Sequence, residues 1–258
     1  MRLFDVRSLG EIVFEYGATS AAEVVVIVPL YNYEEHIVEC LESVAAQTLK
    51  DIAIVVIDDC STDAGPRIAI DFLKTNSTRF AAALVIRHTK NMGLSMARNS
   101  AIAWSSEPLL FMLDADNRIR SPALARLKTA LETSEADFAY SQLFVFGEVT
   151  VIGDADIWDI DRLKNGNAID AMALIRRETL LACDGYAVLA DDHGWEDYDL
   201  WCRSFTLGFN GVFVPELLCE YRRHKQSMLN SRTNHHAETL KSELALRYPN
   251  IFFPAKAI

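Results

Sequence analysis

Four short apolar runs, each stopping at polar residues and each followed by a segment of helical spacing, constrain this chain more than any other feature. Val24-Val25-Val26-Ile27-Val28 ends at Pro29, Ile52 to Ile57 stops at Asp58-Asp59, Ala83 to Arg87 forms a third run, and Leu109 to Leu113 runs into Asp114-Ala115-Asp116-Asn117. Runs without polar alternation are the mark of strands buried on both faces. Between them, Ile37, Leu41, Val44, Ala45 and Thr48 recur at helical spacing behind Glu34-Glu35. Asp63 can cap a helix to about Lys74, Leu94 to Trp104 is helical, and Ser121-Pro122 opens a helix to about Thr133. This rhythm predicts an α/β fold, a Rossmann-like, mostly parallel sheet flanked by helices and joined by right-handed crossovers.

The second half is less regular. Phe138 to Phe146 reads as a strand, 147 to 168 as a polar loop containing Gly and Asp, and Ala171 to Ile175 as a strand. Glu196 to Leu207 is a helix, with short strands near 211 to 214 and 217 to 222. Residues 1 to 22 show weak periodicity and read as an extension leaning on the domain, or a linker; 23 to 258 read as a single domain. A length of 258 residues suits that count.

The formal net charge of −11 opposes approach of a polyanion, so no nucleic-acid partner is expected. The five cysteines are odd in number with no C-x-x-C pair, which fits reduced thiols in a cytoplasmic protein better than a disulfide framework or zinc site. Asp5, Glu11 and Glu15 interrupt any signal-peptide apolar region, and no run approaches the ~18 apolar residues of a membrane span. A soluble chain with at most peripheral contact at the inner membrane face is expected.

Ligands of open parallel sheets collect at the carboxyl ends of the strands, where this chain places its polar residues. Pro29-Leu30-Tyr31-Asn32, Asp58-Asp59-Cys60-Ser61 and Asp114-Ala115-Asp116-Asn117 are three such ends. Any single one could be an ordinary turn. Asp114 and Asp116, two residues apart beyond a buried run, offer hard oxygens suited to Mg²⁺ or Mn²⁺. Gly93, in Asn91-Met92-Gly93-Leu94, permits close backbone approach, and the next helix start offers N–H groups to an anion. Arg98 either neutralises a phosphate or locks Asp carboxylates. Gly194-Trp195-Glu196-Asp197-Tyr198-Asp199-Leu200-Trp201 opens a helix with acids that suit its dipole, and its two tryptophans offer faces for a sugar ring. Asp191-Asp192-His193 reads as a loop able to close over substrate. Tyr221-Arg222-Arg223-His224-Lys225 is a basic island that would balance a diphosphate, with His224 a possible metal ligand.

Taken jointly and in order, Val-Pro-Leu-Tyr-Asn (28 to 32), Val-Ile-Asp-Asp-Cys-Ser-Thr-Asp (56 to 63), Asn-Met-Gly-Leu-Ser-Met-Ala-Arg-Asn (91 to 99), Asp-Ala-Asp-Asn (114 to 117), Trp-Glu-Asp-Tyr-Asp-Leu-Trp (195 to 201) and Tyr-Arg-Arg-His (221 to 224) resemble the family-two glycosyltransferases of GT-A fold. The resemblance covers roughly residues 24 to 228. It implies a nucleotide-binding half (23 to 117) and an acceptor half (118 to 258). It also implies inverting transfer of a hexosyl or N-acetylhexosaminyl group from a nucleoside diphosphate sugar, usually UDP-linked, assisted by Mn²⁺ or Mg²⁺. The acceptor would be a saccharide, a lipid-linked molecule or a protein, in cell-surface polysaccharide or glycoconjugate synthesis. By position, Pro29, Tyr31, Asn32 and Glu34 would line the nucleoside pocket, and Asp59 would bond the uracil. Asn91, Gly93 and Arg98 would lie along base and ribose, Asp114 and Ala115 would face ribose and sugar, and Asp116 would bind the metal. Asp197 would be the general base, Glu196 and Trp195 would place the sugars, and His224 would contact metal or diphosphate. Residues 147 to 168 have no counterpart in the resemblance.

Two other readings use the same residues. A sugar-phosphate nucleotidyltransferase would need a Gly-rich basic loop where this chain has Leu30-Tyr31-Asn32-Tyr33-Glu34, and a non-catalytic sugar-nucleotide-binding module would be expected to lack Asp116 or the Glu196-Asp197 pair.

Overall fold

Alternate residues of the buried strands face opposite sides of one sheet, so each strand feeds two cores. Val25, Ile27, Val55 and Ile57 pack on one side with Ala97, Ala101 and Trp201, while Val24, Val26, Val28 and Val56 pack on the other with Ile37, Leu41, Leu73 and Leu127. The computed structural model describes residues 8–17, 22–189, 194–225, 227 and 233–253.

The sheet-forming strands are β1 (Gly10–Gly17), β2 (Val24–Leu30), β3 (Ile52–Asp58), β4 (Ala82–His88), β5 (Leu109–Met112), β6 (Arg118–Ile119), β7 (Phe138–Gly147), β8 (Val151–Ile152), β9 (Ala173–Arg176) and β10 (Gly211–Arg223). They lie in the order β1-β4-β3-β2-β5-β9-β7-β10-β6, with β8 paired to β7. β2, β3, β4 and β5 run parallel, as do β7 and β10; β9 runs antiparallel to both its neighbours. The helices are α1 (Ile37–Ala45), α2 (Gly65–Thr75), α3 (Leu94–Trp104), α4 (Ala123–Glu132), α5 (Ile160–Asn165), α6 (Arg177–Ala182), α7 (Glu196–Thr206), α8 (Ala237–Arg247) and α9 (Pro249–Phe252). α3 and α7 cover the first core, and α1, α2 and α4 the second. The expected mostly parallel, helix-flanked sheet is present.

Several local expectations need correction. Gly10–Gly17, within the segment read as an extension or linker, is an edge strand, paired antiparallel to β4 from Gly10↔His88 to Gly17↔Ala82. Its sequence GEIVFEYG is open to solvent on most positions, so no burial period marks it. The segment 147 to 168 is not one loop: β8 turns back on β7, and Asp159 caps α5 by accepting from Asp161 N–H at 2.7 Å. The two short strands expected near 211 to 222 are one strand, β10, whose register shifts between Val214 and Leu217. β2 continues through Pro29 to Leu30, and α4 begins at Ala123 with Pro122 as its cap. All five cysteines are free thiols, four of them buried. Among the described residues no helix is long and apolar enough to cross a membrane.

Candidate active site

The polar ends of β2, β3 and β5 and the start of α7 open onto one cleft of about 960 Å³. Pro29, Tyr31, Asn32, Glu34, Asp59, Asn91, Gly93, Arg98, Asp114, Ala115, Asp116, Trp195, Glu196, Asp197 and His224 all line it. Residues read one by one along the sequence therefore share a wall.

The end of β2 is clasped to the end of β3. Asn32, held at φ 57°, accepts from Thr62 N–H at 2.8 Å while its own N–H donates to Ser61 Oγ. Glu34 N–H donates to Asp63 and Ala64 N–H donates back to Glu34, both at 2.8 Å. The side-chain oxygens of Asn32 and Glu34 thus shape the rim by holding two loops together. Asp59, 3% exposed, accepts from Met92 N–H at 2.8 Å and Gly93 N–H at 2.7 Å, and its Oδ1 lies 2.7 Å from His88 Nδ1. Gly93 sits at φ 88°, a backbone conformation that a side chain would disfavour.

Arg98 does not point along the cleft as a free cation. It is 1% exposed, donates to Asp114 at 2.6 Å and to Glu196, and its guanidinium carbon lies 5.2 Å from the Tyr186 ring centroid. Of the two roles left open for it, locking the carboxylates is the one observed. Asp116 Oδ2 meets His224 Nε2 at 3.0 Å, with Tyr33 and His36 packed around the imidazole at ring distances of 6.0 and 5.4 Å. Asp197 accepts from Asn167 Nδ2 at 3.0 Å and from Tyr198 N–H at 2.8 Å, and remains half-buried in the wall.

The sequence pattern of Glycosyl transferase family 2 matches residues 25–189. The chain belongs to that family. GlyA of Streptococcus pneumoniae is 32% identical over 80% of this chain and 31% of that protein, and EpsJ of Bacillus subtilis 35% over 43% of this chain and 31% of that protein, so each alignment takes in about a third of the relative. A glycosyltransferase of Haemophilus influenzae is 28% identical over 87% of this chain and 74% of its own length. Among solved structures, S. aureus TarS with UDP-GlcNAc superposes with a TM-score of 0.72 at 18% identity, covering 89% of this chain and 70% of that one. The mannosyltransferase PcManGT of Pyrobaculum calidifontis, with GDP-Man and Mn²⁺, gives 0.69 at 18% identity over 93% and 69%. The shared fold is GT-A.

In this family-2 chain the basic island is not uniformly free. Arg222 is committed to Glu39 and to the Asp116 carbonyl at 2.8 Å, whereas Arg223 is exposed and lines the cleft. Trp201 is no sugar platform: it is fully buried, stacked on Phe138 at 4.8 Å, and its indole N–H holds the Ile169 carbonyl at 2.8 Å. Trp195 does line the cleft, in a left-handed conformation at φ 61° before α7. Asp191-Asp192-His193 lies outside the described residues.

Asn167 and Asp170 are among the cleft residues that went unread in the sequence. They precede β9 in a segment stapled to α7, where Asn167 meets Asp197 and Ile169 meets Trp201. No local signal marks Asn167, because its partner Asp197 is thirty residues away. Burial raises the proton affinity of Glu196 and Asp197; Arg98 lowers both again, while Asp197 raises that of Glu196 and Asp170 that of Asp197. Burial, with Asp114 next, pushes Asp170 up to about 7.

The residues present suit a divalent cation. A carboxylate and an imidazole touch at the wall, and among the described residues no group of three or more protein ligands converges. That donor set matches Mg²⁺ or Mn²⁺, which draw their remaining ligands from water and phosphate oxygens.

Proposed function

We propose that this chain is an inverting, metal-assisted glycosyltransferase that moves a sugar from a uridine diphosphate donor to an acceptor hydroxyl, in polysaccharide or glycoconjugate synthesis. One observation carries the reading: a single cleft holds both the Asp116–His224 pair and a half-buried carboxylate, Asp197, oriented by Asn167. Neighbours of the same fold support the donor class, since TarS was solved with UDP-GlcNAc and with UDP, and PcManGT with GDP-Man and Mn²⁺. AmsB of Erwinia amylovora, a relative 26% identical, acts in amylovoran biosynthesis, which supports a polysaccharide role.

In this reading Asp59 and the Asn32–Glu34 rim receive the nucleoside. Asp116 and His224 would hold Mn²⁺ or Mg²⁺, which when bound neutralises charge on the departing diphosphate. Arg223 offers a second counter-charge from β10. Asp114, fixed by Arg98, and Glu196 present carboxylate oxygens to sugar hydroxyls. Asp197 takes the proton of the acceptor hydroxyl, either directly or through one water. The acceptor oxygen forms its bond to C1 from the face opposite the diphosphate. The bond from C1 to the diphosphate oxygen breaks, and its electron pair leaves with the nucleotide. Incubation with UDP-sugars, Mn²⁺ and saccharide acceptors tests this, with UDP release and anomeric configuration followed by NMR. An inverted product supports the proposal. A retained configuration, or no transfer from any nucleoside diphosphate sugar, defeats it.

A further inference from the structure

His88, the last residue of β4, is bonded at both ring nitrogens. Its Nδ1 lies 2.7 Å from Asp59 Oδ1, and its Nε2 lies 2.8 Å from Ser100 Oγ on α3. His88 and Ser100 are each 1% exposed, and neither is among the residues that line the cleft. Gly10 of β1 pairs with His88, and a Cβ at that glycine would lie 3.2 Å from the ring carbon Cδ2. The atoms follow the order of a Ser-His-Asp triad, but a hydroxyl buried in this way meets no substrate. Of the three residues, Asp59 is the one that lines the cleft.

The hydrogen bonds fix which atoms give and which accept. Met92 N–H donates to Asp59 Oδ1 and Gly93 N–H to Oδ2, so both carboxylate oxygens act as acceptors. The matching tautomer of His88 carries its proton on Nδ1 and leaves Nε2 to accept from the Ser100 hydroxyl. Oδ1 is then filled by His88 and Met92. Oδ2 has Gly93 alone among the described residues, so the carboxylate keeps one lone pair to spare. A base that presents a ring N–H to that lone pair, as uracil does at N3, gains a charge-assisted bond. Cytosine presents a lone pair at the same ring position, and two acceptors facing each other repel.

We propose that His88, anchored by Ser100, is a positioning residue that holds Asp59 as a fixed acceptor for the ring N–H of the donor's nucleobase. The inference rests on the reading of this end of the cleft as the nucleoside pocket. It adds that base selection is set by two side chains behind the wall. Without the Nδ1 proton, Oδ1 keeps one of its two donors, and the carboxyl can turn or take up a proton. A protonated Asp59 can donate to cytosine N3, so the loss acts on the preference between bases as well as on affinity.

The test is calorimetry of UDP and CDP, with Mn²⁺, on wild type, His88→Leu and His88→Asn. The two nucleotides share ribose and diphosphate, so their affinity ratio reports the base, whereas a merely structural loss weakens both equally. Leu and Asn are close in size, and both give up the ring and its contact with Ser100. Only Asn can place an N–H where Nδ1 was. Wild type should favour UDP by about tenfold or more. His88→Leu should bring the ratio to about threefold or below, and His88→Asn should restore most of it. A ratio in His88→Leu equal to that of wild type overturns the proposal, as does an equal fall in both variants. A wild type that does not separate UDP from CDP defeats the nucleoside reading itself, and the inference with it. Should His88→Leu fold poorly, histidine side-chain ¹⁵N NMR of the wild-type chain decides. His88 Nδ1 is expected to be protonated, with its N–H resonance displaced more by saturating UDP than by saturating CDP. An unprotonated Nδ1, or equal displacement by both, overturns the proposal.

Discussion

Asp59 at the end of β3 accepts a 2.7 Å hydrogen bond from the backbone N–H of Gly93, 34 residues further on. The same carboxylate also receives Met92 N–H and touches His88. Its oxygens therefore hold the loop that leads into α3 and have limited capacity left for a nucleobase.

Asp59→Asn should reduce both nucleotide affinity and stability. An amide has one accepting oxygen, so its NH₂ must face a donor, and at least one of the three bonds is lost. The expected cost is about 1–3 kcal/mol for a buried, charge-assisted contact. Urea denaturation and UDP calorimetry check it. Unchanged values in both would reduce Asp59 to a turn residue.

Removing divalent cation should weaken UDP binding strongly in wild type and only slightly in Asp116→Asn. The warrant is the 3.0 Å meeting of Asp116 and His224, which would give a cation two protein ligands and leave the rest to phosphate and water. Calorimetry with Mn²⁺ and with EDTA measures it. Equal affinities in wild type would take the metal out of the account.

Arg98→Met should destabilise the fold as well as impair transfer. It removes the cation shared by Asp114 and Glu196 from a site where Arg98 is 1% exposed. Stripping one partner from a buried ion pair costs about 3–5 kcal/mol, less whatever Glu196 recovers by taking up a proton. Chemical denaturation at pH 7 and at pH 5 reads both parts, with the deficit smaller at pH 5.

Asp170 carries a pH signature in stability. Its folded value of about 7 lies above the ordinary ~3.9 of an unfolded Asp. Its contribution is thus fully present below about pH 4 and is lost as pH rises through 7. Relative to wild type, Asp170→Asn should gain stability between pH 5 and pH 8. Thermal unfolding across that range measures the gain, and parallel curves for the two proteins would contradict it.

Much of this arrangement is legible in the sequence because burial leaves a pattern. Val24 to Val28 and Ile52 to Ile57 have apolar surroundings on both faces, and Leu94–Trp104 is the helix its spacing predicts. The polar residues that stop these runs lie at the strand ends by topology, which is why they meet in one cleft. β1 escapes because an edge strand that is mostly exposed needs no alternation. Arg222 looks like part of a basic patch until its partner Glu39, 183 residues away, is seen. Trp201 next to acidic residues resembles a sugar platform, yet its helix phase turns it into the core beside Phe138. Asn167 gains its place only through its contact with Asp197 on α7.

Asp197 is the group proposed to take the acceptor's proton. Asp197→Asn preserves size and shape but cannot accept that proton, so sugar transfer should slow by roughly 10²–10⁴-fold. Donor affinity should change little, because the proposed nucleotide site lies at the ends of β2, β3 and β5. The direct measurement is single-turnover sugar transfer by Asp197→Asn, set beside UDP calorimetry on the same preparation. The predicted result is a large loss of the chemical step with near-native UDP binding. Near-normal transfer would contradict the assignment and move the base to another carboxylate of the cleft.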